Sequence, residues 1–220
     1  MRLGKEAMEA LQAEICGLLA PGNELVVAGA VALKGTARIA KEKYDILREH
    51  FSESFLREAR NLEVLYGISA LDQVKGQPFE EGTVWKAARV AGATAMYAMG
   101  DGGFLSALWK MAEASQVGLE MEFTKVPIRQ ETIEICEIFD LNPYKLDAGG
   151  AVLIGIPAGE ALVQELRREG IMAAVIGQTN PGNDRMLYYN GNGRYLERPG
   201  KDELYKVLPM QAGRIQNRRT

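Results

Sequence analysis

The residues best placed to do chemistry lie in Met99-Gly100-Asp101-Gly102-Gly103-Phe104-Leu105, where a glycine-rich stretch joins a short apolar run to an amphipathic one. Read as strand, tight loop and helix, this arrangement offers a seat for an anion. Glycines let a ligand approach the backbone, and the first amides of the helix point outward at the positive end of its dipole. Gly100, Asp101, Gly102 and Gly103 are therefore the candidate ligand-binding residues, with Lys110 and Arg129 as candidate cationic helpers. The same residues also admit a structural reading, with Asp101 as N-cap and the glycines at positive φ in a tight turn. Gly149-Gly150, ahead of another apolar run, poses the same choice and reads as turn chemistry.

Other reactive side chains are sparse. Cys16 and Cys136 fall in separate helical patterns without CxxC spacing, and His50, in KEKYDILREHF, has no second His near it. Structural zinc and a Cys-His or Ser-His apparatus are not expected. His50 reads as a surface helix residue and Cys136 as part of an apolar face. No metal ligands and no catalytic residues are identified.

The elements that must position the glycine loop follow from periodicity. Met8, Leu11, Ile15, Leu18 and Leu19 form one face of a helix over residues 5–19, which is either a partner-binding helix or a lid. ELVVAG at Glu24 to Gly29 is a short strand, and Gly35-Thr36 opens a long helix with Ala40, Tyr44, Leu47 and Phe51 on one face. Ser52 caps a helix carrying Leu56, Leu62 and Leu65; a loop at Gly76-Gln77-Pro78 precedes a helix near Gly82 to Val90. Thr94 to Met99 is a strand, and Phe104 to Ser115 a helix burying Leu105, Leu108, Trp109 and Ala112. Gly118 to Phe123 alternates as a half-solvated strand, and a helix with Ile133, Cys136 and Phe139 follows. GGAVLIGIP, AGEALVQELRREG and MAAVIG read as a right-handed parallel βαβ unit. RMLYYN and GRYLER form a hairpin across Asn190-Gly191-Asn192-Gly193. The expected division is a helical extension at 1–22, one α/β domain at 23–200 and a loose tail at 201–220 that carries Arg214, Arg218 and Arg219.

Composition excludes several classes. The chain has 220 residues, with 26 Lys+Arg against 29 Asp+Glu, a net charge of −3. That balance provides no electrostatic grip on nucleic acid or on an anionic membrane. A hydrophobic share of 47% with 25% charged residues is globular rather than disordered. The longest apolar runs, such as Ala151 to Pro157, are strand-sized, and the N-terminus lacks the apolar core of a secretion signal, so the expectation is a cytoplasmic chain.

Several phrases in this order resemble one family. ELVVAGAVALKGT, AMGDGGFLSALWKMAEASQVGLEME, EICEIFDLNPYKLDAGGAVLIGIP and ELRREGIMAAVIGQ are similar to the C-terminal domain of the AIR synthase superfamily. That superfamily includes aminoimidazole ribonucleotide synthase, selenophosphate synthetase, thiamine monophosphate kinase and the hydrogenase maturation factor HypE. The resemblance is nearest to the HypE-like branch and covers roughly residues 23 to 200. It implies a three-layer α/β/α domain with a central mixed sheet, partly ferredoxin-like. In the complete enzymes this domain follows an ATP-binding domain, and the resemblance implies that this chain lacks it. The branch's loop reads M-H-D-P-T-R-G-G-L; here Gly100 stands at the His, and no Thr-Arg is present. The branch's ending is PRIC, whereas this chain ends RIQNRRT.

The resemblance leaves three functions open. The first is a non-catalytic binding or regulatory module. The second is one half of a split ATP-dependent enzyme whose ATP and Mg²⁺ are held with a separate ATP-binding chain. The third is an autonomous enzyme whose site the sequence does not display. Without that partner no cofactor and no ATPase activity are expected. A homodimer is expected, because relatives shield one flank of the domain and a bare apolar flank is a liability.

Overall fold

The structure, a computed structural model, describes residues 3–68 and 82–209. The loop at Gly76-Gln77-Pro78 and the arginines of the C-terminal tail lie outside the described residues.

Eight strands form one mixed sheet: β1 Cys16–Gly17, β2 Glu24–Ala28, β3 Ala95–Ala98, β4 Gly118–Glu122, β5 Val152–Ile156, β6 Ala173–Asn180, β7 Arg185–Tyr189 and β8 Asn192–Tyr195. Their spatial order is β1-β3-β5-β2-β6-β4-β7-β8, antiparallel throughout except for the parallel pair β4 and β7. The ten helices among the described residues are α1 Lys5–Ala13, α2 Leu33–Glu42, α3 Tyr44–Leu47, α4 Glu53–Arg60, α5 Leu62–Tyr66, α6 Thr83–Val90, α7 Gly103–Ser115, α8 Gln130–Ile138, α9 Glu160–Arg168 and α10 Leu204–Val207.

Helices cover both faces of the central strands, giving the three layers expected. Leu25, Val27, Leu153 and Ile176 pack with Phe104, Leu108 and Met111 of α7 and Leu11 of α1. Val26, Ile154 and Ile156 on the opposite face pack with Trp85 of α6 and Leu162 and Leu166 of α9. Every residue of β5 is buried, as its uninterrupted apolar run requires. Full burial of each such side chain stabilises by about 1.5–3 kcal/mol before entropy is counted. A separate helical cluster joins Ile39 of α2, Leu56 of α4, Cys136 of α8 and Leu204 of α10.

Five expectations are corrected. The βαβ unit is split: β5 and β6 run in the same direction but both pair antiparallel with β2, which lies between them. An apolar strand such as ELVVA hides its edges and both faces best in that central slot. The N-terminal helix stops at Ala13, because Cys16 leaves the helix to pair with Met96 at the sheet edge. The helix is a lid on its own chain, with Leu11 buried and Gln12 Nε2 donating to Ala114 O at 2.9 Å. The long helix after Gly35 breaks at Lys43, whose φ of −112° and ψ of 24° are not helical. Leu65 and Ile133 are about half exposed, at 50% and 48%, while Leu62 and Ile135 take the core positions.

The fifth correction concerns the segment after Gly200, which is not loose. As far as Leu208 it packs on the helical cluster: Leu204 and Leu208 are buried, and Glu203 N–H donates to Lys145 O at 3.1 Å. Leu204→Ala should therefore cost roughly 2–5 kcal/mol of stability, as for other buried leucines. Leu65→Ala should cost under about 1 kcal/mol, the range of exposed sites. Urea unfolding of both variants checks this; equal losses would mean that the segment is not part of the core.

Candidate functional site

The glycine loop leaves the end of β3 and enters α7. Gly103 N–H donates to Gly100 O at 3.0 Å, closing a tight turn, and Gly102 occupies the N-cap position at φ +81°. Asp101 is not the N-cap. Its exposed side chain accepts from Tyr205 OH at 3.0 Å, so the cap of the structural reading is corrected. The carboxylate that meets the loop belongs to Asp202: Oδ2 accepts Gly102 N–H at 2.7 Å and Oδ1 accepts Leu204 N–H at 2.8 Å. Asp202 is 2% exposed, so the donor at Gly102 is satisfied inside the protein.

A second chain segment seals the other side. Ala148 N–H donates to the same Gly100 O at 3.1 Å, and Gly35 N–H, in the first turn of α2, donates to Asp147 O at 3.0 Å. Gly149 N–H donates to Asp147 Oδ1 at 3.0 Å, so Gly149-Gly150 does serve as a turn. Asp101, Asp147 and Asp202 thus share one end of the sheet, with Lys34 Nζ 3.7 Å from Asp147 Oδ2.

The expected cationic helpers are elsewhere. Lys110 is held by Glu14 at 2.8 Å and Tyr97 OH at 3.0 Å. Arg129 is shared at 2.9 Å by both Glu58 and Glu131, and its guanidinium lies 3.9 Å over the Tyr66 ring. Both arrangements are structural clamps. His50 is exposed beside Phe51. Burial, helped by the negative charge of Glu203, pushes the Cys136 thiol up to about 12, which keeps it protonated and unreactive. Among the described residues no group of three His, Cys, Asp or Glu is gathered that could hold a metal ion.

The residue that sequence reasoning missed is Asp202. Its signal was present: Asp202 precedes Leu204 and Leu208, an i, i+4 apolar pair, in the position of a cap before a docked turn.

Burial, more than any neighbour, holds the Asp202 carboxyl above its ordinary value; the Leu204 and Gly102 amides oppose it, and Asp101 and Asp147 add repulsion. Because folding raises this pKa, the folded chain holds the proton more tightly than the unfolded one. The linked stability is present in acid and is lost as pH rises through the raised value. The stability of the wild type relative to Asp202→Asn should therefore fall as pH rises from about 4 and then level off once Asp202 is ionised. Thermal unfolding across pH 4–7 measures this; a flat difference would remove the linkage.

Comparison with known proteins places this geometry. The model of the AIR synthase related protein, C-terminal domain, matches residues 20–190. The carbamoyl dehydratase HypE of Rhodobacter capsulatus is 31% identical over 113 residues, which is 48% of this chain and 33% of that protein. A solved hydrogenase maturation protein HypE superposes with a TM-score of 0.63 at 19% identity, covering 86% of this chain and 57% of the other. A chain of a solved HypE-HypF complex gives a TM-score of 0.62 at 16% identity, covering 83% and 54%. The protein thus spans about a third of the length of the curated relative and just over half of the solved chains. With most of its length matched by the family model, the chain belongs to the AIR synthase related proteins, as their C-terminal domain.

Proposed function

We propose that this chain is a HypE-like module that binds or regulates without performing catalysis itself. The observation that carries this reading is the Asp202 carboxylate on Gly102 N–H: the loop's donor holds the chain's own C-terminal segment instead of a substrate. Gly100, Asp101, Gly102 and Gly103 remain the proposed ligand seat, and an anion entering there has to displace Asp202. The reading predicts that the purified chain with ATP and Mg²⁺ releases phosphate no faster than a buffer control. Turnover that survives repurification and is lost in Asp101→Ala would overturn it.

A second reading is favoured by the lengths. The chain covers little more than half of the solved HypE chains, so a separate ATP-binding chain would complete it as a split enzyme. ATP and Mg²⁺ would then be held jointly with that partner. Turnover that appears only on mixing the two chains identifies this case.

We further propose that the module associates with a second copy. The face of β7 and β8 turned away from α7 carries Met186, Tyr188 and Tyr195, the last 64% exposed, and such a surface fits a protein partner. Light scattering should report the mass of two 220-residue chains. A monomer at micromolar concentration, unchanged by Tyr195→Glu, would refute the dimer.

A further inference from the structure

A small cavity lies between the first turn of α7 and the chain that leaves β8. Its volume is about 30 Å³, and Gly102, Ser106, Lys145, Arg194, Arg198 and Lys201 are in its wall. We propose that the mouth of this cavity is a binding site for a small oxyanion, of the class of a phosphate monoester, which adjoins the glycine-loop seat at Gly102 but is centred on Ser106.

Ser106 carries the argument. It is 6% exposed and lines the cavity, yet among the described residues its hydroxyl has no hydrogen-bond partner. It is held against the helix start, since a Cβ placed on Gly102 would come within 2.9 Å of its Oγ. The residue is largely buried, but its Oγ still reaches the solvent of the cavity, where an incoming ligand oxygen can replace water. A serine inside a helix often bonds back to the carbonyl one turn earlier, and among the described residues Ser106 makes no such bond. The hydroxyl is free to donate into the cavity.

The charges around it specify the ligand. Arg194 and Arg198 have no carboxylate partner among the described residues; their guanidinium groups lie 5.3 Å over Phe123 and 5.8 Å over Trp109. Lys201 likewise has no carboxylate partner there, and Lys145 lies 3.5 Å from Glu197, whose side chain is 75% exposed. The other nearby acid, Asp202, is spent on the amides of Gly102 and Leu204. The first turn of α7 adds the positive end of a 13-residue helix, while the Gly102 and Gly103 amides are already taken by Asp202 and Gly100 O. A wall that offers several donors and cations, with one acid already paired, suits a ligand with several acceptor oxygens and negative charge. The cavity is small, so the anion sits at its mouth with one oxygen on Ser106 and the rest among the arginines. Their guanidinium groups rest over the Phe123 and Trp109 rings in this structure and, on exposed side chains, swing toward the anion when it binds.

The test is an amide NMR titration of the full chain with inorganic phosphate at fixed ionic strength, with chloride as the control. Saturable shifts at Ser106, Arg194, Arg198 and Lys201 are expected in the millimolar range, and none with chloride. Ser106→Ala should weaken binding about threefold to tenfold, the range of one neutral hydrogen bond. Arg194→Gln with Arg198→Gln, both exposed positions, should weaken it by more than tenfold while circular dichroism and Tm stay unchanged. If Ser106→Ala proves unstable, the double arginine variant decides. Shifts that fail to saturate, that chloride reproduces, or that survive the arginine changes would mean that the cavity holds water only. Shifts confined to residues 99–103 with movement at Asp202 would place the anion in the glycine loop and overturn this site, while leaving the module reading intact.

Discussion

The structure depends on one close passage: the segment from Lys145 to Ala148 threads between the first turns of α2 and α7. Both helices present glycine to it. A Cβ on Gly35 would lie 2.5 Å from Leu146 Cγ, and one on Gly103 would lie 2.7 Å from Leu146 O. Side chains cannot be accommodated at those distances, least of all against backbone. Gly103 also sits at φ +73°, a conformation that glycine adopts without a steric cost. The passage buries Leu146 in the helical cluster and delivers the chain into β5, so it couples the helices to the central strand of the sheet.

From that passage follows the polar organisation of the loop end. Helix starts leave amides without partners, and here the nearest backbone and carboxylate groups take them: Asp147 O on Gly35, and Asp202 Oδ2 on Gly102. Buried donors and acceptors are satisfied locally, at the expense of gathering Asp101, Asp147 and Asp202 at one place. Lys34 is half exposed and 3.7 Å away, so solvent screens most of what it returns. Amides filled by the chain's own acids describe a loop that holds the fold together. The cavity beside the same helix start differs in sign, because Arg194, Arg198 and Lys201 line it and the nearby acids Glu197 and Asp202 are already engaged.

Much of the fold was legible in the sequence. The all-apolar run before Pro157 announced a strand covered on both faces, and Asn190-Gly191, at φ +48° and +81°, announced the hairpin of β7 and β8. The alternation of Leu119 and Met121 with Glu120 and Glu122 told which face of β4 meets α7. Helix boundaries and faces were less legible. Ile133 and Ile135 are one apolar residue type two positions apart, and only the packing of α8 against α2 and α4 decides which is buried. The passage at Gly35 and Gly103 was invisible for the same reason, since a glycine is written alike whether it turns the chain or makes room for another segment.

The sequence by itself determined the element types, the glycine loop ahead of α7, the family and the scarcity of reactive side chains, because these depend on local periodicity and residue chemistry. The tertiary structure alone decided that β2 splits the βαβ unit, that Asp202 and not Asp101 meets the loop, and that Ser106 faces a cavity with Arg194 and Arg198. Each of these brings together residues distant along the chain, 100 positions apart for Gly102 and Asp202. Such meetings are set by how layers pack and by which buried donors lack acceptors, and no local pattern encodes them.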